Sequence, residues 1–251
     1  MKKNPLLLIV CCCLFSAVDA KVFTVSNNPN APAQYSDITP AITAASSGDT
    51  IYIQGSPNTY NTSTYVVNKR LTLIGAGYDI ANTDFKYATI ISYINLDSAA
   101  IVSAGGVSGV KFIGLNLYSI SFGTNHVHNV TIDRCYISNI TVGGNNWLIK
   151  NCYITSNISG YYVATNLTVT NNIFIGAYLT NMNLNSIYIT NNIFLNSTYQ
   201  DLSSSSLANV NNNIFYNNTA GQCASCLYNH NIAYYTSSVT FPGSGSGNYS
   251  Q

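Results

Sequence analysis

Six segments of the chain carry the same pattern of apolar and polar residues and align with one another without gaps. In each segment, apolar and other residues alternate over four positions, which is the period of a half-buried β-strand. A polar pair follows, and two mostly apolar residues come after it. The third position of each segment is apolar and recurs at steps of 20, 17, 20, 20 and 21 residues, at Phe112, Ile132, Ile149, Val169, Ile189 and Val210.

One short strand about every twenty residues leaves no room for the crossover helices of a βαβ sheet. The same period suits a solenoid, in which each turn pairs in parallel with the next at about 4.8 Å. Residues 71–75 form an earlier copy two steps before Phe112, and residues 88–96 fill the gap. The pattern therefore predicts an all-β parallel solenoid of about nine turns, with the third positions stacked in its interior.

Asparagine recurs at one position of the repeat, the second residue of the polar pair, at Asn172, Asn192 and Asn213. Asn tolerates left-handed backbone conformations, and its amide can bond the residues above and below it in a stack. We therefore expect these three residues to form a structural ladder that pairs polar groups at a buried bend. Cys135 and Cys152 occupy the same position in earlier copies, where a buried thiol stack and a disulfide are both open.

The last two cysteines, Cys223 and Cys226, are separated by two residues. Export would permit a disulfide that closes a small loop here. A redox pair is the alternative, although no thioredoxin-like βαβ pattern surrounds it. Zinc binding would require this pair to meet Cys135 and Cys152, which nothing in the spacing demands.

The first twenty residues differ from the rest of the chain. Residues 1–20 carry two lysines directly after Met1, continue with an apolar stretch too short to span a bilayer, and end in small residues before Lys21. This predicts a cleaved signal peptide, a secreted or outer-surface protein, and a single mature domain over 21–251. A buried N-terminal strand and a lipoprotein anchor on one of the cysteines at 11–13 are the alternatives.

Residues 36–47 carry apolar side chains at helical spacing, at Ile38, Ala41, Ile42 and Ala45. Ser36 is the expected N-cap of this short helix, and Gly48 follows its end. An apolar helix face just before a solenoid can cover its first rung, which would otherwise be exposed. We therefore predict a capping helix over 36–47.

Charge is scarce, because the 251 residues include nine basic and eight acidic side chains, none of them Glu. Such a composition excludes a basic stripe for nucleic acid and a charged amphipathic helix for a membrane surface. Polarity comes instead from residues that favour turns and strands, including 35 Asn and 20 Tyr. A partner would therefore be recognised by shape and hydrogen bonding rather than by long-range electrostatic steering.

The start of the predicted domain carries a series of motifs, which are Tyr35-Ser-Asp-Ile38, Ala41-Ile42, Ala45, Gly48-Asp-Thr-Ile51, Tyr60 and Leu71-Thr-Leu-Ile-Gly-Ala-Gly77. They resemble the opening of secreted right-handed parallel β-helix proteins of the pectin-lyase-like superfamily. The similarity is greatest to the β-helix repeat proteins that Bacteroidetes-type bacteria export, and the repeated Asn-Asn-Ile-Phe extends it over residues 71–215. The resemblance implies a right-handed parallel β-helix and a chain shortened at its C-terminal end.

The resemblance implies that an enzyme on this scaffold would act on the outer face of one sheet, along an extended polysaccharide. Lys111, Asp133, Arg134 and Lys150 are the charge cluster of the stacked strands. A lyase site there would use Arg134 or Lys150 as base and Lys111 to neutralise a uronate carboxylate. A surface salt bridge between Asp133 and Lys150 is the alternative. Paired-carboxylate hydrolysis and a Ca²⁺ site both lack the further acidic residues they need.

Other outward positions of the repeat carry uncharged polar and aromatic side chains, at Thr168, Tyr188, Thr190 and Asn209. A flat face of this kind suits stacking on sugar rings and hydrogen bonding to hydroxyl groups. We therefore expect a non-catalytic module that interacts with a polysaccharide or a cell-surface glycan, with no cofactor and no metal. A lyase-like enzyme acting on an acidic glycan and a purely structural surface solenoid remain the alternatives.

Overall fold

Two parallel β-sheets run along the molecule, one of ten strands (sheet A) and one of thirteen (sheet B), within the residues described by the computed structural model. Residues 1–19 lie outside those residues, so the signal peptide over 1–20 stays a prediction. The described residues are 20–60, 64–79, 86–96, 107–122, 126–160, 164–180, 185–199, 208–220, 226–234 and 245–250.

Strands of both sheets pair with the strand of the next turn, in parallel and in register. Sheet A consists of β1 (Val22–Val25), β2 (Thr50–Ile53), β4 (Thr72–Ile74), β6 (Lys111–Ile113), β8 (Thr131–Asp133), β10 (Leu148–Lys150), β12 (Thr165–Thr170), β15 (Asn185–Thr190), β18 (Ala208–Asn211) and β21 (Leu227–Asn229). Sheet B consists of β3 (Tyr65–Val67), β5 (Ile90–Leu96), β7 (Asn116–Phe122), β9 (Tyr136–Val142), β11 (Tyr153–Gly160), β13 (Ile173–Ile175), β14 (Tyr178–Thr180), β16 (Ile193–Leu195), β17 (Thr198–Tyr199), β19 (Ile214–Tyr216), β20 (Thr219–Ala220), β22 (Ile232–Tyr234) and β23 (Tyr249–Ser250).

The predicted interior column is confirmed. All six third-position residues, from Phe112 to Val210, are buried and pair in register from strand to strand, and Leu73 and Tyr228 extend the column at its two ends. A second column on sheet B stacks phenylalanine rings with centroids 4.4 and 4.9 Å apart. These rings belong to Phe174, Phe194 and Phe215, the last residues of the three Asn-Asn-Ile-Phe motifs. The molecule is therefore the expected parallel β-helix.

The number of regular turns is slightly smaller than predicted. Seven sheet A strands, from β6 to β21, follow one another at the short, even spacing of the repeat. Before β6 the spacing is uneven. Paired residues lie 28 apart from Phe23 to Ile51 and 22 apart from Ile51 to Leu73, but 39 apart from Leu73 to Phe112, because insertions lengthen the first and last of these turns. The prediction of about nine turns takes residues 88–96 as a further copy of the repeat, but Ile90–Leu96 is β5 of sheet B, and β4 pairs directly with β6.

The predicted capping helix is present but shorter, because α1 spans Ile38–Ala44 rather than 36–47. Its N-cap is Asp37, whose Oδ1 accepts the N–H of Thr39 at 2.9 Å, so the assignment of Ser36 was wrong. At the other end, the Nζ of Lys69 donates to three main-chain carbonyl oxygens at 2.7–2.9 Å. A positive charge and three donors there complete the C-terminal end of the helix.

The cysteines of the repeat are reduced. Cys135 and Cys152 are free and buried one above the other, so the thiol stack rather than the disulfide is present. Burial and the neighbouring thiol raise the pKa of Cys152 well above its usual range. Cys226 is disulfide-bonded, while Cys223 lies outside the described residues, so their pairing stays a prediction. Across the described ranges, no helix combines the length and the apolar character needed to cross a membrane.

A two-residue bend, which we call the ladder corner, joins each of the seven sheet A strands from β6 onward to the following sheet B strand, and an eighth copy at residues 247–248 precedes β23. The first residue of the bend has a positive φ in all eight described copies, which are Gly114, Arg134, Asn151, Asn171, Asn191, Asn212, His230 and Gly247. The second residue is an Asn in the last five copies, namely Asn172, Asn192, Asn213, Asn231 and Asn248. The two properties of Asn are therefore used by different residues of the corner. The first residue adopts the left-handed backbone conformation, and the second provides the stacked amide.

The amides of the second position form the predicted ladder. The Nδ2 of Asn172 donates to Asn192 Oδ1 at 3.0 Å, and the Nδ2 of Asn192 donates to Asn213 Oδ1 at 3.0 Å. Each Nδ2 also donates to a carbonyl oxygen of the preceding turn, as Asn192 does to Val169 at 2.9 Å. The ladder continues through Asn231, which the sequence analysis had not included. These Asn side chains are therefore used structurally.

Candidate functional site

The outer face of sheet A brings the predicted binding residues together. Thr168, Tyr188 and Asn209 are neighbours in register on β12, β15 and β18, at the strand separation of about 4.8 Å. Thr190 lies two residues beyond Tyr188 on the same face, and its hydroxyl donates to that of Thr170 at 3.0 Å. Because side chains two apart on a strand share a face, these groups form one flat patch.

Tyr188 is the most exposed member of this patch, with 43% of its surface accessible. Thr168, Thr190 and Asn209 are half-buried, so their polar groups are within reach of a ligand but are held by the strands. The patch carries no charge. It offers one aromatic ring with hydroxyl and amide groups beside it, which is the set of contacts that sugars make with proteins.

The charge cluster lies on the same face, toward the N-terminal end. The Nζ of Lys150 lies 3.5 Å from Asp133 Oδ2, and the Nε of Arg134 lies 3.8 Å from Asp133 Oδ1. The Nδ2 of Asn151 donates to the same Oδ1 at 2.8 Å. The predicted salt bridge between adjacent turns, Asp133 with Lys150, is therefore present. Asp133 also contacts Arg134, so it pairs with two of the three cations of the cluster.

Lys111 stands apart from these contacts. It lies on β6, in register with Thr131 of β8, and is exposed. Among the residues that the structure describes, it forms no ion pair. In the same residues, no three His, Cys, Asp or Glu side chains lie close enough together to hold a metal ion.

A cavity of about 390 Å³ opens at the ladder corner, beside the charge cluster. We call it the corner cavity, and it is not among the sites predicted from the sequence. One wall is the segment that leaves β4 after Ile74, and the other is formed by the first residues of three successive corners. Its lining consists of residues 74–79, Ile113, Gly114, Arg134 and Asn151.

Tyr78 closes one side of the corner cavity and packs on two tyrosines of sheet B. Its ring centroid lies 6.4 Å from those of Tyr136 and Tyr153, which stack on each other at 5.3 Å. Burial, with the nearby Cys152 thiol and the Asp79 carboxylate, raises the pKa of Tyr78. The phenol therefore keeps its proton and remains a hydrogen-bond donor at neutral pH.

One signal in the sequence pointed to this cavity. The aligned repeats place Arg134 where later copies have Asn151, Asn171 and Asn191, and a long charged side chain is unusual at a bend. The wall contributed by residues 75–79 had no such signal, because nothing in an insertion shows which turn it will contact.

No protein-family model matches the chain, and no curated protein matches it. Among solved structures, a mutant of the PL6 family alginate lyase AlyGC superposes with a TM-score of 0.44 at 13% sequence identity. The match covers 92% of this chain and 40% of the lyase chain, so this chain spans about two-fifths of that structure. A likeness this distant carries no information about activity.

Proposed function

We propose that this protein is a non-catalytic glycan-binding β-helix and that the outer face of sheet A holds the glycan. The observation that carries the proposal is the row of Thr168, Tyr188 and Asn209 on three adjacent strands, with Thr190 beside it. The row is flat, uncharged and repeated at the strand spacing. An extended sugar chain has the complementary properties, because its ring faces are apolar and its edges carry hydroxyl groups.

The exposed ring of Tyr188 is the part of this face whose removal should matter most. Tyr188→Ala should weaken glycan binding about tenfold or more, because aromatic rings at the centre of a contact dominate its energy. Binding is first located on a glycan array and on insoluble polysaccharides, and is then measured by calorimetry.

Tyr118→Ala is the matched control, because Tyr118 is 54% exposed on the outer face of sheet B. The control variant should bind as the unaltered protein does. Equal losses in the two variants would contradict a site on sheet A. Retention of the unaltered protein on no glycan would contradict binding altogether and leave the role of a structural surface solenoid.

Lyase-like action on an acidic glycan is the second candidate, and the cations around Asp133 are the observation that favours it. A lyase would release unsaturated product, seen as new ultraviolet absorbance, from pectate, alginate or glycosaminoglycans. The signal should fall at least about a hundredfold in Arg134→Ala or Lys150→Ala if either residue is the base. No absorbance from any of these substrates would exclude this candidate.

A further inference from the structure

Arg134 occupies a backbone position that its side chain does not favour. Its φ is 53°, in the left-handed region, where a Cβ atom crowds the following carbonyl oxygen and Gly or Asn is preferred. Glycine, asparagine and histidine fill this position in the seven other described corners, which are Gly114, Asn151, Asn171, Asn191, Asn212, His230 and Gly247. The repeat therefore gives no backbone reason for an arginine.

The ion pair gives no sufficient reason either. The guanidinium Nε lies 3.8 Å from Asp133 Oδ1, and the Arg134 side chain is 66% exposed. Exposed pairs at such a distance contribute little to stability. Asp133 is already paired with Lys150 and accepts a hydrogen bond from Asn151. The fold requires the left-handed backbone at this corner, but it does not require a long charged side chain there.

Arg134 lies in one wall of the corner cavity, and the other wall, the segment after β4, is hydrogen-bonded to residues 113 and 114. The N–H of Gly75 donates to Ile113 O at 2.8 Å, and the N–H of Gly77 donates to Gly114 O at 2.7 Å. A Cβ on Gly75 would lie 2.5 Å from Gly114 O, so the two segments approach as closely as glycine allows. The cavity is therefore preformed, and its volume lies in the range of small-molecule sites.

The choice of arginine over asparagine indicates the kind of ligand. Asparagine would supply N–H donors at this position without backbone strain, as it does one turn later at Asn151. What arginine adds is a positive charge and a planar pair of donors, which match a carboxylate or a sulfate. Lys150 lies outside the lining and is paired with Asp133 at 3.5 Å, so Arg134 is the positively charged residue of the lining and Asp79 is its one carboxylate.

We propose that the corner cavity binds an anionic group, a carboxylate or a sulfate ester, carried on a single sugar unit. Arg134 bonds the anion, while Asn151 and Asp79 lie in the lining where they can bond ring hydroxyl groups. This site rests on the proposed function only in taking the ligand to be a glycan. The anion site lies beside the neutral face of sheet A and selects acidic glycan chains over uncharged ones.

Calorimetry with the whole protein tests the proposal with three ligands of equal length. They are a hexuronate oligosaccharide, its methyl ester and a sulfated oligosaccharide. The unaltered protein should bind one of the two anions about tenfold more tightly than the uncharged ester, and added salt should reduce this difference. Tighter binding of the hexuronate identifies a carboxylate site, and tighter binding of the sulfated chain identifies a sulfate site.

Arg134→Asn is the decisive variant, because it removes the charge and restores the residue that the neighbouring turns use. It should unfold at or above the temperature of the unaltered protein and lose most of the preference for the anion. His230→Asn changes the same corner position far along the helix and should keep that preference. Equal binding of acid and ester, an unchanged preference in Arg134→Asn, or no binding of any of the three ligands would overturn the proposal.

The same variants separate this site from the face of sheet A. If Tyr188→Ala abolishes binding while Arg134→Asn keeps the preference for the anion, the glycan face stands and the cavity site is wrong. If Arg134→Asn loses the preference while Tyr188→Ala binds normally, the cavity site stands and the face is wrong.

Discussion

Asp49 is a buried carboxylate whose two oxygens both accept main-chain N–H groups. Lys21 N donates to Oδ1 at 2.7 Å, and Ser46 N donates to Oδ2 at 2.7 Å. Burial by itself raises the pKa of this carboxyl, but the two hydrogen bonds and the charges of Lys21 and Lys69 outweigh it and lower the pKa of Asp49. The ionised side chain therefore links Lys21, directly before β1, to the segment that follows α1 by two hydrogen bonds.

Asp49→Asn should make stability less dependent on pH in acid. A carboxyl whose pKa is lower in the folded chain stabilises it above the unfolded value of about 3.9, and this contribution is lost as the pH falls through the folded value. At pH 7 the variant should be less stable by about 1–3 kcal/mol. The difference should shrink below about pH 4. Urea unfolding at pH 7 and pH 3 measures both effects.

Asp37→Asn is the control for this experiment, because Asn caps a helix as well as Asp does. It should change the unfolding free energy by less than about 0.5 kcal/mol at pH 7. A constant difference between Asp49→Asn and the unaltered protein from pH 7 to pH 3 would show that the charge of Asp49 does not contribute.

At the scale of one element, the ladder corner combines two roles that adjacent residues fill separately. Asn191 has a φ of 58°, while Asn192 is buried and bonds the turns above and below. Asn192 donates to Asn213 and Val169 and accepts from the N–H and the Nδ2 of Asn172. Removing this amide would leave several buried polar groups without partners, which costs more than the bonds themselves contribute.

Asn192→Ala should therefore destabilise the protein by about 2–4 kcal/mol, since it breaks the ladder in the middle. Asn191→Gly is the matched control one residue away. It should change stability by less than about 1 kcal/mol, because Gly accepts the left-handed conformation. Urea unfolding of the two variants provides the comparison, and equal midpoints would contradict the division of roles.

At the scale of the whole molecule, stacking places residues about twenty apart in sequence next to each other in space. The paired strands put Lys150 beside Asp133 on one side and Thr170 on the other, so the charge cluster and the neutral patch become one surface. These columns can be predicted from the sequence because the repeat has few insertions after β6. Wherever the spacing is even, the register follows from counting.

Where the repeat is interrupted, counting residues does not give the strand register. The insertion after β4 carries Tyr78 across the corners of later turns, to the stacked rings of Tyr136 and Tyr153. A segment outside the repeat has no register that the sequence can supply. The shortened helix has a local cause instead, since Ser36 and Asp37 are adjacent candidates for one cap and only the backbone path decides between them.

The amino-acid sequence by itself determined the parallel β-helix, its interior column, the Asn ladder and the residues of the outward columns. It did so because the strand period and the repeat length are local properties that recur along the chain. Only the tertiary structure decided that Asp133 pairs with two cations and that Cys135 and Cys152 remain thiols. It alone revealed the corner cavity beside Arg134, because that cavity depends on where an irregular segment folds back against later turns.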